Sequence, residues 1–205
     1  MKILVIDLST SNIRSLTSAL IYLGVQPVVT SDPSVIESAS HVILPGVGAF
    51  DTGMKRIAEL SLGIPLRTYA LEQQRPLLGV CLGMQLLFNE SEEGRLSGLG
   101  LVSGQFRKLK STYQSMHKVP HVGFSPVYGY RETDLFKGIG PKGCFYFTHS
   151  YALQGIEEDW NVALCDHVQP FVAAFQKRKI CGVQFHPEKS QSTGLRLLSN
   201  FLELV

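Results

Sequence analysis

The chain has 205 residues, 44% of them hydrophobic and 18% charged, which suits one domain over residues 1–205 with a sizeable core and excludes a disordered polymer. Nineteen Lys and Arg against seventeen Asp and Glu leave a formal charge of +2, too small and too scattered for a nucleic-acid or membrane surface. The two local basic groups, Arg107-Lys108-Leu109-Lys110 and Lys177-Arg178-Lys179, suit strand ends and turns.

Residues 2–7 read as a fully buried strand, with no cleavable leader pattern before it. Ile13, Leu16, Leu20 and Leu23 lie at helical spacing within residues 12–23, and Gly24 stops that helix. A second strand opens at residues 27–29, and Asp32-Pro33 supplies the cap and first turn of a short helix ending near Ser38. A third strand, 41–44, runs into Pro45-Gly46-Val47-Gly48. Helices over about 51–60 and 65–72 then lead to a strand at 76–80, so the first half alternates as a parallel α/β sheet does. From residue 101 to 180 the apolar runs shorten between Gly, Pro, Asn and Asp, which predicts antiparallel strands, among them 145–147, 162–165, 171–175 and 180–183. A last helix covers roughly 193–204.

The four cysteines form no C-x-x-C pair and no zinc-ligand spacing. Cys144, Cys165 and Cys181 stand among Phe145, Leu164 and Ile180 and read as buried apolar thiols. No apolar run is long enough to cross a bilayer, and a reducing, cytosolic setting is expected. Neither a metal nor an organic cofactor is expected.

Cys81 is different. In Leu77-Leu78-Gly79-Val80-Cys81-Leu82-Gly83-Met84-Gln85 a buried strand meets an amphipathic helix at the cysteine, with glycine two residues to either side. This G-x-C-x-G pattern is the thiol counterpart of the nucleophile elbow, a turn so sharp that flanking side chains would collide. A helix N-terminus behind the sulfur favours thiolate, and the Leu82 amide is placed for a developing oxyanion. The base comes from Gly182-Val183-Gln184-Phe185-His186-Pro187-Glu188-Lys189-Ser190, where a second apolar strand ends at His186. Strand C-termini of a parallel sheet share one crevice, so His186 can meet Cys81, and Glu188 can turn back to orient the imidazole. Among the other histidines, His41, His117, His121 and His167 adjoin no motif, whereas His149 in Phe147-Thr148-His149-Ser150-Tyr151 belongs to a polar-aromatic cluster.

These motifs resemble the class I (triad-type) glutamine amidotransferases, and within them the glutaminase subunits of imidazole glycerol phosphate synthases of histidine biosynthesis. Leu44-Pro45-Gly46-Val47-Gly48, Ser91-Glu92-Glu93, Pro120-His121-Val122-Gly123 and Tyr146–Tyr151 extend the resemblance nearly end to end. It implies an open, doubly wound α/β sheet of flavodoxin-like type. It implies a γ-glutamyl thioester on Cys81, with His186 moving the proton and Glu188 orienting it. Gln85 and Glu93 would hold the amino-acid end of glutamine, with Glu92 a rival for Glu93, and His149, Ser150 and Tyr151 would line the pocket. Val47 and Gly48 would complete the oxyanion hole with Leu82, Val47 giving its amide after a peptide rearrangement. Asn12, Phe124, Tyr146 and Lys189 would face the partner, a barrel-shaped cyclase that forms a heterodimer with the glutaminase and makes imidazole glycerol phosphate and AICAR from the ammonia.

The stretch Asp7-Leu8-Ser9-Thr10-Ser11-Asn12 lacks the glycine usual after the family's first strand, and Phe124-Ser125 replaces a usual Trp-Asn. Both departures fall on the expected partner side. They keep open a paralogue that feeds another acceptor, such as a surface-polysaccharide sugar. A stand-alone γ-glutamyl hydrolase and a non-catalytic subunit are the remaining alternatives.

Overall fold

The computed structural model describes residues 1–9, 13–111, 118–130, 133–141, 143–154 and 160–204. The first half runs β1 (Ile3–Ile6), α1 (Ile13–Tyr22), β2 (Val28–Thr30), β3 (His41–Gly46), α2 (Phe50–Glu59), α3 (Gly63–Arg67), β4 (Leu77–Cys81) and α4 (Leu82–Leu86). The second half adds β5 (Glu90–Ser91), β6 (Gln105–Lys108), β7 (His121–Pro126), β8 (Cys144–His149), β9 (Tyr151–Leu153), β10 (Asn161–Asp166), β11 (Pro170–Lys177), β12 (Ile180–Val183) and α5 (Gln191–Leu202). Between β2 and β3 the chain makes a 3-10 segment, Pro33–Ser38, whose first turn is capped by the Asp32 side chain accepting from the Ser34 amide.

Every residue of β1 is buried, and its side chains divide between two cores. Ile3 and Val5 join one with Leu16 and Leu20 of α1 and Leu197, Leu198 and Phe201 of α5; Leu4 and Ile6 join the other with Phe50, Ile57 and Leu66. Successive strand residues point to opposite faces, so an unbroken apolar run demands a sheet covered by helices on both sides. That is the doubly wound arrangement the resemblance implies.

The sheet order is β2-β1-β3-β4-β12-β11-β9-β6-β5, with β10 also on β11. Strands β2, β1, β3, β4 and β12 are parallel. From β11 on the pairing turns antiparallel, as the short runs of the second half predict, with β5 alone returning parallel to β6; the strand at 180–183, expected to be antiparallel, is so only to β11 and joins the parallel block through β4. The register sets Cys81 beside Gly46, and Val80 beside Val183. The C-terminal ends of β3, β4 and β12 therefore open on one crevice. Strands β7 and β8 form a separate ribbon over it. That ribbon is tied to the crevice, since Tyr146 accepts from the His186 amide at 2.8 Å and gives its own amide to Ser190 Oγ at 2.9 Å.

Candidate active site

Cys81 ends β4 with φ 55 and ψ −112, outside the regions an ordinary residue occupies. Such a conformation costs on the order of 1–3 kcal/mol and persists only where the surroundings over-determine it. Here the glycines do so. A Cβ on Gly83 would lie 1.7 Å from the Leu44 carbonyl oxygen, and one on Gly79 would lie 2.7 Å from backbone atoms of Gly83 and Met84. The turn closes because both are absent. The helix behind it differs from expectation: α4 has five residues, all buried, so it is neither amphipathic nor long enough for a substantial dipole. The charge partner of a Cys81 thiolate is His186.

His186 follows β12, and its Nδ1 lies 2.8 Å from Glu188 Oε1. Both side chains are buried, with 3% and 7% of their surface exposed. Burial alone would lower the imidazole pKa, but the bonds and charges offered by Cys81 and Glu188 outweigh it and push it up to about 10. His186 Nε2 is turned to Cys81 and has no other partner, which leaves it for the thiol and a leaving group. A cysteine and a protonated histidine in one cavity, with a carboxylate behind the histidine, can carry out acyl transfer.

That cavity, about 360 Å³, is lined by Val47, Gly48, Cys81, Leu82, Gln85, Glu93, Pro120, Thr148, His149, Ser150, Tyr151 and His186. Its size suits a small metabolite. The structure thus gathers the oxyanion-hole and substrate-binding candidates with Cys81 and His186 in one place, Glu188 standing behind His186. Gly48 has φ +100, the left-handed backbone that glycine tolerates, beside a Val47 that is 36% exposed. Glu93 rather than its rival Glu92 faces the cavity. Its Oε2 accepts from the Phe50 amide at 2.9 Å, while Glu92 turns away to accept from the Lys108 amide at 2.7 Å. Burial, opposed by the Phe50 bond and helped by Asp51, raises the Glu93 pKa, so a cation bound there would relieve it.

Gln85 gives its amide to Gln184 Oε1 at 3.2 Å and keeps a buried Oε1 without a partner. Gln184 in turn points its amide at the Cys81 sulfur, 3.8 Å away. The sequence reading missed Gln184; its place two residues before His186 was the available signal. His149 commits both ring nitrogens internally, to Tyr151 and to His121, and so brings no free nitrogen to the cavity. His121, to which the sequence assigns no site role, is therefore part of the site's surroundings.

Of the four expected partner-facing residues, Asn12 lies outside the described residues. Phe124 is 51% exposed and sits edge-on to Tyr146, with ring centroids 5.5 Å apart; Lys189 Nζ stands 5.7 Å from the Tyr146 ring centroid. Cys144 corrects an expectation: it is exposed, while Cys165 and Cys181 are buried.

A family model for glutamine amidotransferase class-I matches residues 4–205. The chain belongs to this family. It is 44% identical over 202 residues to imidazole glycerol phosphate synthase subunit HisH 2 of Legionella pneumophila (strain Paris), covering 98% of each chain. It is 39% identical over 202 residues to subunit HisH 2 of Methanococcus maripaludis, again covering 98% of each. With subunit HisH of Xanthomonas oryzae pv. oryzae it shares 43% identity over 199 residues, 97% of this chain and 96% of that one. A solved glutamine amidotransferase superposes with a TM-score of 0.75 at 20% identity over 98% of this chain and 97% of that one. Another, from Thermotoga maritima, gives 0.64 at 16% over 99% and 83%. These two likenesses confirm the amidotransferase's fold.

Proposed function

We propose that this amidotransferase is the glutaminase subunit of an imidazole glycerol phosphate synthase, hydrolysing glutamine and handing ammonia to a cyclase partner in histidine biosynthesis. Similarity to such subunits over nearly the whole chain supports the pathway. The observation that carries the chemistry is a single cavity lined by Cys81 at positive φ, His186, Gln85 and Glu93, with Glu188 behind His186 on its Nδ1. The family match over residues 4–205 supports one amidotransferase domain.

In this reading Glu93 and Gln85 Oε1 take the substrate's ammonium group and orient its side-chain amide toward Cys81. The thiolate attacks the amide carbon, and the tetrahedral oxyanion is held by the Leu82 amide and, after a peptide flip, by that of Val47. The C–N bond breaks as His186 gives its Nε2 proton to the nitrogen, so ammonia leaves and a γ-glutamyl thioester remains. Neutral His186 then takes a proton from water, whose oxygen attacks the thioester. Collapse expels the Cys81 thiolate and releases glutamate. Glu188 holds Nδ1 throughout and stabilises the imidazolium. This chain's step is hydrolysis; ring formation belongs to the cyclase.

The exposed strip of Val122 and Phe124, continued by Tyr146 and Lys189, is the proposed docking face for the cyclase in a heterodimer. The proposed compartment is the cytoplasm, where thiols stay reduced. Among the described residues no helix is long and apolar enough to cross a membrane.

Glutamate release by the purified chain, alone and with a cyclase carrying an acceptor analogue, tests the assignment. The expected result is weak activity alone that rises strongly in the mixture, with Cys81→Ala abolishing turnover while the complex still forms. Turnover by Cys81→Ala at the wild-type rate would sink the mechanism. Full activity without a partner would point to a stand-alone hydrolase, and weak activity unmoved by the cyclase to a different acceptor.

A further inference from the structure

His121 opens β7 directly opposite His149 on β8. Its Nδ1 lies 3.1 Å from His149 Nε2, and its Nε2 lies 2.8 Å from Ser125 Oγ. At the far end, His149 Nδ1 lies 2.9 Å from the Tyr151 carbonyl oxygen. A carbonyl only accepts, so His149 carries its hydrogen on Nδ1. Burial is the main reason its pKa falls to about 4, opposed by the Tyr151 bond and helped by the charges of His167 and His186. At neutral pH the ring is therefore uncharged and its Nε2 is an acceptor. His121 must then donate from Nδ1. A neutral His121 keeps Nε2 as an acceptor, and the Ser125 hydroxyl donates to it. One direction of donation runs from Ser125 through both rings to Tyr151.

The chain is held rigidly. His121 packs in parallel against Phe147, with centroids 4.5 Å apart, and against His167 at 3.9 Å. It also joins two surfaces with different duties. Thr148, His149, Ser150 and Tyr151 line the cavity, while Ser125 is the neighbour of the exposed Phe124. Resting on the glutaminase reading above, we propose that His121 and Ser125 are positioning residues for glutamine, fixing the 148–151 wall through a tautomer-locked hydrogen-bond chain that starts beside the docking face. Neither side chain lines the cavity, so their effect passes through His149 and Tyr151.

The test has an arm independent of activity. In the ¹⁵N-histidine spectrum of the intact chain near neutral pH, His121 and His149 should both show a protonated Nδ1 and a bare Nε2. A hydrogen on His149 Nε2 would overturn the proposal. In the kinetic arm, His121→Phe keeps the ring stack but removes the donor. It should raise the KM for glutamine about tenfold, the scale of an unmatched buried acceptor, with a smaller effect on kcat. His121→Asn, whose amide nitrogen falls near the place of Nδ1, should recover most of that loss. An unchanged KM in His121→Phe, or no recovery in His121→Asn, would overturn it. Ser125→Ala tests the same chain without disturbing the ring stack, and should shift the ¹⁵N signal of His121 Nε2; an unmoved signal counts against the chain. A wild-type chain that released no glutamate even with the cyclase and acceptor analogue would defeat the glutaminase reading, while the tautomer measurement would still decide the relay.

Discussion

Replacing Glu188 by Gln keeps the shape of the side chain and removes its charge, which isolates what that charge does for His186. The imidazole pKa stands at about 10 because Cys81 and Glu188 together outweigh burial. Without the carboxylate it falls, so the alkaline limb of kcat/KM should move down by about 1–3 pH units, the range over which a single opposite charge acts. A limb that stayed in place in the pH–rate profile of Glu188→Gln would remove Glu188 from the mechanism. His186 and Glu188 were legible in the sequence because they are two residues apart on one turn. The preference for Glu93 over Glu92 rested on the family resemblance alone, since the Phe50 amide that Glu93 accepts from lies 43 positions away. The amide of Gln184 beside Cys81, a contact across 103 positions, was hidden for the same reason.

Among the elements, the join of β4 and α4 carries the tightest constraint. A methyl group on Gly83 would land on the Leu44 carbonyl, which is backbone of the neighbouring strand and cannot move alone. Gly83→Ala should cost about 3 kcal/mol or more, visible as a lowered urea midpoint, because relief requires shifting β3 against β4. A midpoint within error of wild type would show that the elbow is looser than its geometry implies. Strand and helix positions follow the hydrophobic periods closely, since period 2 and period 3.6 separate well over six or more residues. Strands β5, β6, β7 and β9 escaped them, and so did two finer features. α4 stops at Leu86 while the apolar run continues through Leu87 and Phe88, whose amides close tighter turns to Met84 and Gln85, so composition does not mark the end. Cys144 sits next to the buried Phe145 at the start of β8, and the alternation of a strand turns the thiol outward.

For the molecule as a whole, buried histidines set opposing limits on the pH range of stability. His149, at about 4 instead of the ordinary 6.5, stays neutral in the folded chain while an unfolded chain takes up a proton first. Stability is therefore full above pH 6.5 and declines toward pH 4, by about 3 kcal/mol for this group. His41, whose pKa is lowered mainly by burial, adds in the same direction. His186 works the other way: with its pKa raised, its contribution is complete below pH 6.5 and is lost as pH climbs through 10. Urea midpoints between pH 4 and 10 should trace a dome with its top near neutrality. A profile flat on the acid side would contradict the buried, neutral state of His149.

The position of β12 bears on how such an enzyme is made. It is the last of the described strands in chain order, yet it lies in the middle of the sheet, between β4 and β11. During synthesis the thiol at position 81 emerges more than a hundred residues ahead of its proposed base, and β4, the strand that carries it, keeps an open edge until β12 inserts. On the proposed mechanism, a nascent chain that still lacks His186 has no base with which to hydrolyse glutamine. The same delay leaves β4, apolar on both faces, exposed to wrong pairing with other chains, which makes the interval before β12 arrives the stage at which a chaperone would matter most.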